Sequence, residues 1–166
     1  MTGLTEAWYA WEKCWRQGFA PLISDEGLLE LAKALRDDDP KLIQGQTCTT
    51  DGGHRIGLVT GACAISYAGW KGDELTGWDE IEAFFTMCCW KVDQTFGEPA
   101  SCRYFLNWVD ETPRDQMRNE LLEEVKKTIE KAPQSGAEKT PCGASIEKKT
   151  LSQPRRFWSM MISEQC

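Results

Sequence analysis

The chain has 166 residues, 41% hydrophobic and 27% charged, with a formal net charge of −7, a balance that fits one globular domain and excludes wholesale disorder. A chain of this length buries roughly 70% of its unfolded surface, so neither a metal nor a disulfide is needed to hold it folded. Residues 133–166 carry Lys139, Lys148, Lys149, Arg155 and Arg156 against Glu138, Glu147 and Glu164, a net +2 that leaves −9 for residues 1–132; so acidic a body argues against non-specific nucleic-acid or anionic-membrane binding, which needs basic patches.

Leu4, Trp8, Trp11 and Trp15 recur at spacings of four, three and four, which predicts a helix over 4–17 with all four on one face. Gly18 and Pro21 should end it. The stripe reads first as core, and second as a tryptophan-rich docking surface. Ser24 before Asp25 and Glu26 is an N-cap with acids in the first turn, and Leu28, Leu31, Ala32 and Leu35 make the buried stripe of the next helix. Asp37-Asp38-Asp39-Pro40 stops that helix and reads as a solvated terminus rather than a cation site.

Residues 44–55 are rich in turn formers and read as the main internal loop, delivering His54 and Arg55 to the start of a central helix over Gly57–Gly69. That stretch is uncharged throughout, and its small residues admit close neighbours. Gly69, Gly72 and Gly77 then mark a second loop, and Thr76 with Asp79 resembles a capping box. Ile81, Phe85, Cys88 and Val92 stripe a helix over 78–95. After Gly97-Glu98-Pro99, Ser101 is placed to cap a short helix bearing Tyr104, Phe105 and Trp108. Thr112-Pro113-Arg114-Asp115 opens the last helix, striped by Met117, Leu121, Val125 and Ile129 and ended by Pro133. Residues 133–154 read as a linker or tail. Arg155 to Ile162, with Phe157 and Trp158, is apolar enough either to cap the core or to bind a partner.

The N-terminus lacks the basic and apolar regions of a signal peptide, and no run approaches the roughly 20 apolar residues of a membrane span. The eight cysteines are therefore expected as thiols in a reducing, cytoplasmic compartment. No Cys-x-x-Cys pair occurs and His54 is the single histidine, so neither a structural metal nor a cofactor is expected. Cysteine catalysis would draw on Cys63, with His54 as base and Asp51 to orient it, but Cys63 falls about two turns into the expected helix, beyond the reach of the terminus that lowers a thiol pKa.

The order of these signals resembles that of an uncharacterised family of small helical proteins from bacteria and phages. Leu28 to Leu35 stands where that family has a leucine-rich helix, and Cys63-Ala64-Ile65 where it has a Cys-x-x-Gly-Ala-type helix. Trp108-Val109-Asp110 before Thr112-Pro113-Arg114 matches its Trp-Asn-Asp ahead of an Arg-Thr helix start, with Val109 in place of the Asn and Ser66-Tyr67 in place of the Gly-Ala. The resemblance spans about residues 25–132 and implies no activity.

These readings predict an all-α fold: one compact bundle of about five helices over 1–132, followed by an irregular tail over 133–166. The expected function is a non-enzymatic, protein-binding accessory factor, encoded by a phage or mobile element and engaging a host or self protein without direct contact to nucleic acid or membrane. Its binding residues would be Trp8, Trp11, Trp15, Arg55, Trp108, Asp110, Phe157 and Trp158. The alternatives are a small enzyme or small-molecule binder using the 44–55 loop against Cys63 and the Trp108–Asp110 region, and an acidic mimic of nucleic acid.

Overall fold

A computed structural model describes residues 10–52 and 55–131. Leu4, Trp8, His54, Phe157 and Trp158 lie outside the described residues. The chain divides into two units, Met1–Ile129 and Glu130–Cys166, and the helices and strands of the described residues lie in the first, apart from the end of the last helix.

The described residues are mainly helical. Helix α1 covers residues 10–14 and widens without a break into a π-helical segment, Trp15–Phe19, and then a 3₁₀ turn, Ala20–Leu22. The expected stop at Gly18 does not occur, because the widened turn carries Phe19 and Ala20 into the core, where both are buried. Ser24 caps α2 (Asp25–Asp37) as its sequence predicts, its hydroxyl accepting from the Gly27 N–H at 3.0 Å.

The all-α expectation is corrected at the next step. Cys48–Thr50 (β1) and Val59–Ala62 (β2) pair antiparallel, in the register Cys48 with Ala62, Thr49 with Gly61 and Thr50 with Val59. On the far side of β2, the Ile43 N–H donates to the Ala62 carbonyl and the Ala62 N–H to the Lys41 carbonyl, both at 2.9 Å. The predicted central helix over 57–69 is therefore half strand. Helix α3 spans Ala64–Gly72, so that Gly69 and Gly72 belong to it rather than to a following loop. Helices α4 (Trp78–Phe96), α5 (Arg103–Glu111) and α6 (Arg114–Lys131) complete the order. The capping residues differ from those expected: Gly77 rather than Thr76 precedes α4, and Cys102 rather than Ser101 precedes α5.

Every residue of α3 from Ala64 to Gly69 is buried. At Gly72 a Cβ would run into the backbone of Gly27, and at Gly69 it would come 2.6 Å from the Phe84 ring. Thus α3 touches α2 backbone to backbone and takes the Phe84 ring of α4 close against its own chain at Gly69. Phe105 on α5 gathers a second layer, with ring centroids 5.4 Å from Trp15, 5.2 Å from Phe19 and 6.5 Å from Trp11.

Polar groups tie the helix ends together. Asp38 accepts from Arg114 at 2.8 Å and lies 3.4 Å from Arg118, while Asp39 accepts from the Tyr67 hydroxyl at 2.7 Å. The terminus expected to be merely solvated is thus a joint between α2, α3 and α6. Glu124, 4% exposed, accepts from Arg16 at 2.7 and 2.6 Å and from Lys127 at 3.3 Å. The Arg16 hydrogen bond holds its carboxyl below the usual carboxylate range, against the opposing effect of burial.

Two outcomes test this architecture. Phe105→Ala should cost about 3–5 kcal/mol in denaturant unfolding, the range for emptying a fully buried aromatic site. Glu124→Gln should cost about 1–2 kcal/mol, the scale of a charge-assisted hydrogen bond. Because the folded pKa of Glu124 is depressed below 4.5, that deficit is present in full above the unfolded value and fades as pH falls through the folded one. Thermal unfolding of both proteins between neutral and acid pH checks the convergence.

Candidate functional site

Two features converge on the β1–β2 ribbon, one at each end. At the inner end β2 runs directly into Cys63, which is the N-cap of α3 rather than a residue two turns inside it. The correction follows from the strand: once Val59–Ala62 is extended, the helix cannot begin until the chain has turned at Cys63. The Cys63 N–H donates to the Thr47 carbonyl at 3.0 Å, and its thiol contacts the Ser66 hydroxyl at 3.4 Å.

Around this N-terminus lies a cleft of about 360 Å³. Its walls are the chain at Gly45–Thr47, the start of α3, Phe85 and Cys89 of α4, and α5 from Cys102 to Asp110. Gln44 latches the loop to α5: its amide donates to the Val109 and Thr112 carbonyls at 2.6 and 2.8 Å, occupying acceptors that the helix end leaves open. The Gly45 N–H donates to Asp110 at 2.9 Å. Arg103 and Asp110 place one charge of each sign on the cleft wall.

The electrostatics work against a resting nucleophile. Burial pushes the Cys63 thiol up, opposed in part by hydrogen bonds from the Ser66 hydroxyl and from the Ser66 and Ile65 backbone. Burial likewise raises Cys89 and Cys102. Asp51 is not brought to Cys63. It sits at the outer end of the ribbon opposite Leu58, and five extended residues from Leu58 to Cys63 span about 16 Å. Among the described residues, no group of three or more His, Cys, Asp or Glu is placed to hold a metal ion, and no helix is long and apolar enough to cross a membrane.

At the outer end of the ribbon the described residues, 51–52 and 55–58, are cross-braced. The Asp51 N–H donates to the Leu58 carbonyl at 3.0 Å, and the Asp51 carboxylate accepts from the Leu58 N–H at 2.8 Å. Gly57, at φ +102°, passes so close to Asp51 that a Cβ there would collide with its carboxylate. The Arg55 guanidinium lies 4.9 Å from the centre of the Trp78 ring, anchoring the tip to the first turn of α4. Between these braces Ile56 and Leu58 stand 76% and 74% exposed.

The expected binding residues divide accordingly. Trp11 and Trp15 are core, at 1% and 0% exposure, and are closed to any partner by this chain itself. Trp15 donates from its indole to Thr128 at 3.2 Å. Trp108 is half-buried and stacked on Trp11, with centroids 3.5 Å apart and planes 2° from parallel. Arg55 stands at the tip and Asp110 at the cleft. Ile56 and Leu58 are absent from the sequence-derived set: Leu58 falls in the run read as helix, Ile56 lies between that run and the loop, and neither carries a local mark of exposure. No protein-family model matches the chain, and no curated protein or solved structure does so either.

Gly57→Ala should strain the tip by about 1–3 kcal/mol, the scale for a non-glycine residue held at positive φ. Faster amide exchange at Leu58, with unchanged exchange in α3, is the expected signature.

Proposed function

We propose that the protein acts by binding another protein through the tip of the β1–β2 hairpin, with Ile56 and Leu58 as the apolar contacts and Arg55 at their edge. The supporting observation is the exposure of these two aliphatic side chains on a loop braced by Asp51 and by the Arg55–Trp78 contact. Residues held by such contacts lose less conformational entropy on entering an interface, so more of the apolar burial of Ile56 and Leu58 is retained as affinity. The acidic body favours a partner with a basic rim around an apolar socket. Cysteine catalysis draws no support from a buried thiol that burial makes harder to ionise and that is separated from Asp51 by the length of the ribbon.

A second reading rests on the cleft, where Arg103 and Asp110 flank a half-polar cavity large enough for a small molecule. On that reading a ligand bearing both charges would bind without chemistry.

The test compares the wild-type chain with Ile56→Asp/Leu58→Asp in affinity capture followed by titration with the captured partner. Each fully buried aliphatic side chain contributes about 1.5–3 kcal/mol, so the double variant should bind at least about tenfold more weakly while unfolding at the same temperature. Equal binding by both proteins would place the interface elsewhere. Failure to capture any partner, with a metabolite protecting the cleft from heat denaturation, would favour the second reading.

A further inference from the structure

The cleft beside the start of α3 is left unused by the hairpin tip, and the charges on its wall stand in a row. Arg103, Leu106 and Asp110 all line it from α5. At 100° per residue these three positions fall within an arc of about 60°, so one face of the helix presents a cation, an aliphatic side chain and a carboxylate in that order. Asp110 is fixed in place, since one of its oxygens accepts from the Gly45 N–H at 2.9 Å. Arg103 is exposed and, among the described residues, has no ion pair or side-chain hydrogen bond. We infer that the cleft is a binding site for a free dipeptide, whose carboxylate is held by Arg103 and whose ammonium group is held by Asp110. The dipeptide site rests on the small-molecule reading of the cleft, to which it gives a ligand class.

The spacing of the two charges selects the length of the ligand. From Arg103 to Asp110 the helix rises about 10.5 Å. A charge-assisted contact takes up about 2.8 Å at each end, which leaves about 5 Å between the charged groups of the ligand, and more as the longer Arg103 side chain leans toward the start of the helix. In a free α-amino acid the amine nitrogen and the carboxyl carbon flank one carbon, only about 2.5 Å apart, so it cannot reach both partners at once. An extended dipeptide spans up to about 7 Å and an extended tripeptide about 10 Å. The dipeptide matches the row, and the longer peptide overruns it.

The rest of the cleft suits the middle of such a ligand. Phe85 and Leu106, both half-buried, give an apolar surface for a side chain of the peptide. Gln46 and Thr86 bring an amide and a hydroxyl to the walls, the donor and acceptor types that a peptide bond requires. The volume of about 360 Å³ lies at the small end of ligand pockets, which fits two residues rather than a long peptide. A simple anion would use Arg103 alone and a simple cation Asp110 alone; a zwitterion of this length uses both.

The experiment titrates the full-length protein, by calorimetry and by amide chemical shifts, with alanyl-leucine, its C-terminal amide, its N-acetyl form, free leucine and alanyl-alanyl-leucine. Alanyl-leucine should bind most tightly and shift the amides of Gly45–Thr47 and α5. Arg103→Gln should weaken its binding about tenfold or more, the scale of a hydrogen bond to a charged group, yet change little for the C-terminal amide, which has already lost the carboxylate. Asp110→Asn should behave in the same way toward the N-acetyl form. Leucine or the tripeptide binding as tightly as the dipeptide would overturn the inference, as would equal losses for the dipeptide and its blocked forms in each variant, or shifts confined to residues outside the cleft. A ligand of another class that binds the cleft while alanyl-leucine does not would sink the dipeptide site and leave the small-molecule reading standing. A cleft that binds neither would sink both. None of these outcomes bears on Ile56 and Leu58, so the protein-binding reading fails separately.

Discussion

The meeting of α2 and α3 at Gly27 and Gly72 is the constraint on which the rest of the molecule depends. Two helices that touch through backbone atoms bring their flanking side chains into one continuous layer, and no larger residue at Gly72 permits that spacing. With α2 this close on one side and the Phe84 ring against Gly69 on the other, α3 becomes the spine to which the neighbouring elements are referred. Its buried residues are small or modest in size, which suits a helix that is enclosed rather than one that reaches outward. The Asp38, Asp39, Tyr67, Arg114 and Arg118 joint then fixes the ends of the helices that the spine positions.

The ribbon owes its role to the same spine. Because β2 enters α3 without an intervening loop, one end of the hairpin is rigidly attached to the core and the other is carried outward. A thiol-lined cleft and an apolar tip arise from one short structure, separated by its length. Neither end depends on residues supplied by the other.

Much of this was legible in the amino acids where a pattern is long. Thirteen residues of α2 with a serine cap, nineteen of α4 and eighteen of α6 each offer several turns of apolar spacing, and their positions were readable. The strands have three and four residues, too few for alternation to declare itself, and an uncharged run such as 57–69 suits a buried helix or a buried strand equally. That single ambiguity moved Cys63 from mid-helix to helix cap and hid the exposure of Leu58. The pairings of Asp38 and Asp39 with partners as far away as Arg114 were invisible for a different reason: contacts between residues distant in the chain leave no local trace. The cleft is lined by the chain from Gly45 to Thr47, by Cys63 and by Val109 and Asp110, which lie in segments the small-molecule reading drew on.

The stacked indoles of Trp11 and Trp108 have an optical consequence. Two identical chromophores lying nearly parallel at contact distance share their excited states, and the shared transition differs in energy and in rotational strength from that of either indole alone. One indole belongs to α1 and the other to α5, so the coupling exists only while those helices are docked. The molecule thus carries a built-in spectroscopic ruler in the far-ultraviolet, sensitive to tertiary contact in a spectral region that ordinarily reports backbone conformation alone.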